Sequence, residues 1–243
     1  MMELIEAGRS ERQIAELTGV GRGTVNAWRH GRGTSYHRRV ASATADWRPG
    51  SAPAYCSLLG IYLGDGHLTV RSRRASLVLY LDADYPAIVD AVAEALNRTF
   101  PHVRATHHTR VQGSVAAVQL SDPALPHAFP QHGVGRKHTR PIELTGWQRE
   151  LTHGHPRELL RGLIHSDGCR CVNRFKTKLP SGRIAEYEYP RYFFSNLSAD
   201  IRRIFCEHCE LLGIRCTQSN PRNVSISHRK SVAVLDEFVG PKT

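Results

Sequence analysis

The feature that most constrains this chain is a short motif that occurs twice, about a hundred residues apart. The copies read LLGIYLGDG at residues 58–66 and LRGLIHSDG at residues 160–168. Each is an apolar run of helical character that ends in one carboxylate followed by glycine. Two such helices packed side by side would bring Asp65 and Asp167 together, and oxygen ligands of this kind are what Mg²⁺ prefers. The duplication therefore predicts an active site between two similar halves.

Small residues recur in both copies at a spacing that suits close helix packing. They lie four positions apart, as Gly60 and Gly64 in the first copy and Gly162 and Ser166 in the second. Residues at this spacing share a helix face, and the lack of bulk there lets two backbones approach closely. We therefore expect the two motif helices to contact each other directly. The alternative is a pair of buried amphipathic helices whose aspartates are incidental.

The two copies resemble the motif of the LAGLIDADG homing endonucleases. The second copy keeps Leu160, Gly162, Leu163, Ile164, Asp167 and Gly168, and the first keeps Leu58, Gly60, Asp65 and Gly66. The departures from the motif are His165 and Ser166 in the second copy and Tyr62, Leu63 and Gly64 in the first. The resemblance implies an α+β fold of two pseudo-symmetric halves, with a central helix pair and two antiparallel, saddle-like sheets that straddle duplex DNA. It also implies Mg²⁺ or Mn²⁺ held by Asp65 and Asp167, with Gly64 and Ser166 as further metal contacts.

Both halves show the same order of predicted elements, which is helix, strands, helix, strands. After Asp65 the pattern indicates strand-like residues 68–81, a helix over 84–99, and strands near 103–110 and 114–120. After Asp167 it indicates strands at 170–178 and 191–195, a helix over 198–212, and strands at 215–219 and 224–228. Apolar spacing supports the helices, and alternation with β-branched content supports the strands. We assign residues 54–150 to the first half and 151–243 to the second.

The N-terminal residues predict a separate helix-turn-helix module over residues 1–33. Ser10 is a candidate N-cap, Gly19 a candidate turn residue, and the apolar positions are Ile14, Ala15, Leu17, Val25 and Trp28. The spacing of Ala15, Gly19 and Val25 resembles the DNA-binding modules of resolvases and sigma factors. Its second helix would present Arg22, Thr24, Asn26 and Arg29 to the major groove. The alternative is a helical hairpin that only packs on the larger domain, and residues 34–53, rich in Gly, Ser, Thr, Ala and Arg, read as a linker.

The charge balance agrees with a nucleic-acid partner. The net charge is +11 and the isoelectric point is near 9.8, and phosphate contacts supply much of the affinity for nucleic acids. Basic side chains recur at strand-like positions, where alternation would place them on one sheet face; they are Arg71, Arg73, Arg174, Lys176 and Lys178. These residues are predicted to contact double-stranded DNA. No apolar stretch reaches the length of a membrane span and no signal peptide is evident, so a cytoplasmic location is expected.

Two lysines are candidates for a cation beside the scissile phosphate. The stretch GRKHTRPI at residues 135–142 resembles the basic loop that closes the first half in this family, which makes Lys137 the first candidate. Lys230 is the candidate in the second half. The alternative for each is contact with the DNA backbone only. His165, two residues before Asp167, is expected either to support the site or to line the helix interface.

Six cysteines raise the question of a zinc site. Cys169 and Cys171 follow the second acid, and Cys206 and Cys209 lie three apart on the last long predicted helix. Four thiolates could form a tetrahedral site if these segments met. A C-x-C pair is not the usual zinc knuckle, however, and helical cysteines also serve as small buried apolar residues. We therefore expect neither zinc nor, in a reducing compartment, disulfides.

These observations predict a monomer that cleaves double-stranded DNA at a specific sequence. The competing interpretation is a DNA-binding transcriptional regulator on the same scaffold, for which the N-terminal module is an argument. Both acids are retained, and two mutually repelling carboxylates are costly to bury without a cation. Their retention favours the nuclease.

Overall fold

The structure, a computed structural model, describes residues 4–5, 7–30, 47–71, 74–109 and 114–242. Two short helices near the N-terminus, α1 (Glu11–Thr18) and α2 (Arg22–Arg29), pack against each other. Ser10 caps α1 in a capping box with Gln13, and Gly19 ends it with a φ of 68°, a backbone conformation that favours glycine. Arg73, Arg110 and the predicted linker residues 34–46 lie outside the described residues.

Ile14 and Val25 form the buried contact between the two helices, as the sequence predicts. The predicted burial of Leu17 is wrong, because its side chain is 67% exposed. The buried side of α1 runs instead from Ile14 to Thr18, whose hydroxyl donates to the Ile14 carbonyl at 2.6 Å. These helices are short, so a shift of one position on the helical wheel decides which residue is covered.

The larger part of the chain contains two halves built in the same order. The first contains α3 (Ala52–Asp65), β1 (Gly66–Arg71), β2 (Arg74–Asp82), α4 (Pro86–Thr99), β3 (Thr106–Thr109), β4 (Val115–Ser121) and α5 (Leu125–Ala128). The second contains α6 (Gly146–Gly154), α7 (Pro156–Asp167), β5 (Gly168–Lys178), β6 (Ile184–Ser195), α8 (Ala199–Leu211), β7 (Thr217–Gln218), β8 (Asn223–Ile226) and α9 (Arg229–Asp236). Each half has an antiparallel four-stranded sheet, ordered β1-β2-β4-β3 and β5-β6-β8-β7. The predicted α+β architecture is confirmed.

Strand β6 is longer than the sequence predicts, because it begins at Ile184 instead of Arg191. Pro190 lies inside it, and proline is usually confined to positions where no ladder hydrogen bond is needed. Here β6 pairs with β8 only over Tyr192–Ser195, so among the described residues no third strand bonds the edge of β6 beside Pro190. The short helices α5, α6 and α9 were not predicted.

Helices α3 and α7 pack against each other at the centre of the molecule with almost direct backbone contact. A Cβ atom added at Gly60 would lie 2.5 Å from the Leu159 carbonyl oxygen and 2.7 Å from the Leu163 nitrogen. A Cβ added at Gly162 would meet the Ser57 carbonyl oxygen. The prediction that the small residues allow close approach of the two motif helices is confirmed.

The last residues of the predicted linker belong to the first half. Trp47 stacks on Phe100 with ring centroids 5.1 Å apart and contacts Trp147 edge-on at 6.2 Å. Gly50 donates from its backbone N–H to the Thr99 carbonyl at 3.1 Å. The assignment of residues 47–53 to a linker is therefore wrong, since an aromatic cluster ties this segment to the core. Within the described ranges, none of the helices has both the length and the apolar character needed to cross a membrane.

Replacement of Gly60 by alanine tests the helix contact. We expect Gly60→Ala to lower the free energy of unfolding by about 1–3 kcal/mol, because the new methyl group must displace backbone atoms of α7. Gly146→Ala is the matched control, since no atom lies within 4 Å of its Cβ position and it begins a helix. Denaturant midpoints of both variants measure the effect. Equal midpoints would contradict the close backbone contact.

Candidate active site

The two acids lie at the C-terminal ends of the central helices, where α3 and α7 meet. Asp65 is the last residue of α3 and Asp167 the last of α7. A Cβ atom at Gly64 would lie 2.7 Å from the Ser166 Cβ and 2.9 Å from Asp167 Oδ2. The end of one helix therefore abuts the end of the other, and the structure brings together the two predicted carboxylates.

Each acid is followed by a glycine that lets the chain pass directly from helix to strand. A Cβ atom at Gly66 would lie 2.5 Å from Cδ2 of Tyr62, and one at Gly168 would lie 2.8 Å from the Ile164 Cα. A larger residue at either position would collide with the preceding helical turn. The Asp-Gly pair in each motif thus places the carboxylate at the junction between the helix and the strand that follows it.

Desolvation makes both carboxylates weaker acids than usual. The pKa of Asp65 is raised to about 6, first by desolvation and second by the negative charge of Asp167. Desolvation also raises the pKa of Asp167, whereas a hydrogen bond from Asn196 and the charges of Lys137 and Lys242 oppose that rise. Such a pair is costly when ionised and attracts positive charge.

Lys137 reaches the acids from a 3-10 turn at Lys137–Thr139. Its ammonium donates to the carbonyl oxygens of Tyr62, Leu63 and Gly64 at the end of α3, the last two at 3.1 and 3.2 Å. Burial lowers the pKa of Lys137 to about 8, and the charges of Asp167 and Asp65 oppose that decrease. The positive charge of Lys137 thus acts on the carbonyl oxygens at the C-terminal end of α3, where a cation is stabilising, and also on the acid pair. The structure places the predicted Lys137 at the site.

The second lysine whose charge acts on both acids is Lys242, and the role predicted for Lys230 stays untested. Lys230 lies exposed in the first turn of α9, which packs on β6. Lys242 interacts electrostatically with both Asp65 and Asp167. It is brought there because the segment after α9 runs along α7, where His165 Nε2 lies 2.8 Å from the Val239 carbonyl oxygen and Arg161 Nε donates to the Phe238 carbonyl at 2.6 Å. His165 therefore has a structural role at this segment.

The internal repeat contains a signal that would have identified Lys242. Lys137 follows Asp65 by 72 residues, and Lys242 follows Asp167 by 75. The two lysines thus occupy corresponding positions in the two halves, although the intervening loops differ. Lys230 lacks this correspondence.

Asn196 is a further site residue that the sequence analysis missed. Its Nδ2 donates to Oδ2 of Asp167 at 2.6 Å. The side chain is itself fixed, because its Oδ1 accepts from the Ser198 N–H at 2.8 Å and its carbonyl accepts from Arg202. Asn196 follows β6 and comes 29 residues after the acid, with no motif to mark it. Only the hairpin of β5 and β6 brings it back to Asp167.

The predicted metal contacts Gly64 and Ser166 face each other across the helix pair. The Gly64 carbonyl already accepts from Lys137, and the Ser166 hydroxyl donates to the Leu163 carbonyl at 3.0 Å. Their role as metal contacts stays a prediction. The carbonyl oxygen of Gly64 retains a second lone pair for another partner.

Side chains alternate between the two faces of a strand, so the buried positions determine which basic residues lie on the open face of each sheet, the face that points away from the core. In the first sheet, Leu77 and Leu79 point to the core, and exposed Arg71 lies on the opposite, open face with Arg74. Side chains there are largely polar and hydrogen-bonded to each other: Arg74 donates to Ser121 at 2.9 Å and Gln119 donates to Ser76 at 3.1 Å. The position predicted for Arg71 is therefore suited to contact a polar partner.

In the second sheet the predicted basic residues occupy the other face. Arg174, Lys176 and Lys178 share the face of buried Tyr192 and Phe194, because each is directly paired with an even-numbered residue of β6. Arg174 forms an ion pair with Glu188 at 3.1 Å and Lys176 forms one with Glu186. The sequence shows the alternation, whereas its phase is set by buried Tyr192 and Phe194, and the role of these three residues as DNA contacts stays a prediction.

Comparison with known proteins places the fold. No family model and no curated protein matches the chain. The structure of I-DmoI in complex with DNA and Mn superposes with a TM-score of 0.51 and 12% identity, over 79% of this chain and 99% of that one. The chain has the LAGLIDADG fold. Mesophilic variants of I-DmoI match with a TM-score of 0.49 and 15% identity over 78% of this chain and 97% of that one. The I-LtrWI LAGLIDADG homing endonuclease bound to target DNA gives 0.47 and 8%, over 77% and 84%.

The four cysteines considered for a zinc site do not form one cluster. Cys169 interacts with Cys171 on β5, whereas Cys206 interacts with Cys216 instead of with that pair. Cys209 is buried on α8 and also neighbours Cys216. Among the described residues, no group of three or more His, Cys, Asp or Glu side chains has an arrangement that could hold a metal ion.

The N-terminal module uses two of its predicted DNA-contacting residues internally. The Asn26 amide donates to the Glu11 carboxylate at 2.7 Å, and the Arg29 guanidinium donates to the Arg9 carbonyl. Both side chains therefore join α2 to α1 or to the segment before it, and their role as DNA contacts stays a prediction. Arg22 is exposed in the first turn of α2. The side chain of Thr24 lies outside the described residues.

The raised pKa of Asp65 predicts that its charge destabilises the metal-free LAGLIDADG helix pair. A carboxyl whose folded pKa of about 6 exceeds its unfolded value of 3.8 loses stability as the pH rises through this window. Asp65→Asn should therefore raise the free energy of unfolding at pH 7 by up to about 3 kcal/mol, and the gain should vanish below about pH 4. Thermal melting in the presence of a chelator, at pH 7 and below about pH 4, measures the gain in stability. Asp90→Asn is the control, because Asp90 is exposed on α4. A gain that is equal at both pH values would contradict a charge effect.

Proposed function

We propose that this chain is a divalent-metal-dependent endonuclease that cuts both strands of duplex DNA at a specific sequence. The observation that carries the proposal is the junction of the central helices, where half-buried Asp65 and Asp167 lie within the electrostatic reach of both Lys137 and Lys242. The fold supports it, because I-DmoI, whose structure was determined in complex with DNA and Mn, covers most of this chain.

The chemistry of the paired acids fits a hard divalent cation. Two partly buried carboxylates with raised pKa values, one of them raised in part by the charge of the other, are stabilised by a shared positive charge, and oxygen donors are the ligands that Mg²⁺ and Mn²⁺ prefer. Asp65 and Asp167 would hold the metal, with the Gly64 carbonyl and Ser166 as adjacent contacts. When bound, the metal would supply a Lewis acid and lower the pKa of water for attack on phosphorus.

The protein's own groups would position the acids and supply fixed charge. Asn196 holds one oxygen of Asp167 at 2.6 Å, which fixes the carboxylate orientation before substrate binds. Lys137, anchored on three helix-end carbonyls, and Lys242, held through the segment that follows α9, present positive charge from both halves. Preorganised cations of this kind stabilise the negative charge that develops on a phosphate during cleavage.

A catalytically silent, DNA-binding regulator is the second candidate, and one observation favours it. The charges of Lys137 and Lys242 already offset part of the repulsion between Asp65 and Asp167, so the protein can hold this pair without a metal. The helical pair α1 and α2 is also consistent with sequence-specific binding without cleavage. Cleavage activity decides between the two functions.

Substitution of the acids separates nuclease from regulator. With Mg²⁺ or Mn²⁺, we expect the wild-type protein to cut both strands of a selected target duplex, and Asp65→Asn or Asp167→Asn to reduce the cleavage rate by more than about 100-fold. Affinity for the duplex in Ca²⁺ should stay equal or increase, because each substitution removes a negative charge near the phosphates. Gel assays of cleavage and binding measure both. A tightly bound target that stays intact with either metal would contradict the nuclease and favour the regulator.

Arg22 tests whether the N-terminal module reads DNA. Arg22→Ala removes an exposed guanidinium from the first turn of α2, and we expect affinity for the selected target to fall by about 1–3 kcal/mol, with loss of preference at one base position. Arg12→Ala, which breaks only an exposed pair with Glu16 on α1, is the control. Unchanged affinity and preference in Arg22→Ala, and in a chain lacking residues 1–33, would show that the module is not a DNA reader.

A further inference from the structure

The hairpin of β5 and β6 extends well beyond the rest of its sheet. β5 and β6 are paired from Gly168↔Phe194 to Lys178↔Ile184, whereas β8 pairs with β6 only over Tyr192–Ser195. Residues 171–178 and 184–191 therefore form a two-stranded projection, which we call the ribbon. Side chains on both of its faces are largely exposed.

The two faces of the ribbon differ in chemistry. One face carries the cross-strand ion pairs Arg174–Glu188 and Lys176–Glu186, so its charges are largely compensated within the protein. The other face is aromatic. Phe175 stacks on Tyr187 with centroids 5.1 Å apart and an interplanar angle of 18°, and Tyr189 meets Phe175 edge-on at 6.2 Å. Phe175 and Tyr187 are each 44% exposed, which leaves a preorganised apolar surface open to solvent.

The aromatic face continues into the open face of the second sheet beside Asp167. Residues at odd positions of β5 and β6 share this face, which carries Asn173, Arg191 and Phe193 along with the aromatic pair. The Arg191 guanidinium lies 3.9 Å from the Phe193 ring centroid, and its buried Nε has no hydrogen-bond partner in the described part of the chain. The aromatic surface and the Arg191 guanidinium thus lie on one face of the sheet that reaches the acids.

We propose that Phe175 and Tyr187, on the aromatic face of the ribbon, recognise thymine in the DNA major groove through its 5-methyl group. The inference rests on the proposed DNA-binding function. The major groove admits a two-stranded ribbon, and thymine alone presents a methyl group there. The stacked ring faces of Phe175 and Tyr187 cannot read hydrogen-bonding edges, whereas they gain free energy by covering a methyl group. The charged face, with its ion pairs satisfied, points away from the bases.

This assignment makes the two halves read DNA by different physical means. The first sheet presents Arg71, Arg74, Ser76 and Gln119 on its open face, which are hydrogen-bonding groups. The ribbon presents stacked rings. The half-site under the second half should therefore contain thymines at positions that tolerate little else, with a weaker salt dependence than an arginine-rich surface would give.

Selection from a pool of randomised duplexes, with Ca²⁺ in place of Mg²⁺, provides the test. The full chain is compared with Phe175→Thr/Tyr187→Thr, which removes both rings and introduces threonine, a residue that also favours strands. Val172→Thr/Ile184→Thr is the matched control, because these exposed apolar residues lie on the opposite face. The wild type and the control should select duplexes with fixed thymines in one half-site, and the ring-deficient variant should lose that preference. Circular dichroism and melting confirm that all three proteins fold.

Replacement of thymine by uracil, which lacks the methyl group, then isolates the contact. Each critical replacement should weaken wild-type binding about fourfold, as expected for loss of one buried methyl group, and leave the ring-deficient variant unaffected. Equal binding of thymine and uracil duplexes, or identical sequences selected by all three proteins, would overturn the inference while leaving the proposed function intact. Failure of the wild type to select any duplex would overturn the proposed function itself. A ring-dependent dimer in light scattering would assign the face to a second copy of the chain and also overturn the inference.

Discussion

The rest of the structure depends on the near contact between the backbones of α3 and α7. At Gly60 and Gly162 neither helix leaves room for a Cβ atom, so the helices cross at a distance that no larger pair of residues would permit. This contact sets the separation of Asp65 and Asp167 at the helix ends. Each sheet starts immediately after its acid, so the position of the sheets is fixed by the same crossing. The geometry of the active site and the position of both sheets therefore depend on Gly60 and Gly162, which have no side chains.

The electrostatics of the junction are a compromise between assembly and chemistry. Burial gives the carboxylates the high energy that makes them good cation ligands, but it also destabilises the fold. Lys137 relieves part of this cost and is held by backbone carbonyls, which leaves its charge shared between a helix end and two acids. The halves are not equivalent, because Asn196 hydrogen-bonds Asp167. The two acids thus sit in different surroundings although their motifs match.

The sequence predicts the parts of this molecule that local patterns control. The duplicated motif was sufficient for the helix pair, the placement of Asp65 and Asp167, and the α+β class, because small residues and helix-end acids act within a few turns. The sequence was insufficient where contacts between distant segments determine the position of a residue. The phase of Arg174 and Lys176 depends on which face Tyr192 and Phe194 bury, Lys242 depends on how the chain returns along α7, and Asn196 depends on the length of a hairpin. The first half of β6 was not predicted because it contains Pro190. A strand can accommodate this proline because no neighbouring strand among the described residues pairs with β6 at that position.

The aromatic cluster around Trp47 has a geometric consequence for the N-terminal module. Trp47 is fixed between Phe100 and Trp147, at the point where the first half meets α6. The module's described residues end at position 30, so 17 peptide units connect it to this anchor. A polypeptide spans at most about 3.5 Å per residue, which limits the separation to about 60 Å. On B-form DNA that distance corresponds to roughly 17 base pairs. The C-terminal end of the module must lie within that radius of Trp47, so the covalent chain itself limits how far from the first half the module can bind DNA in the proposed complex.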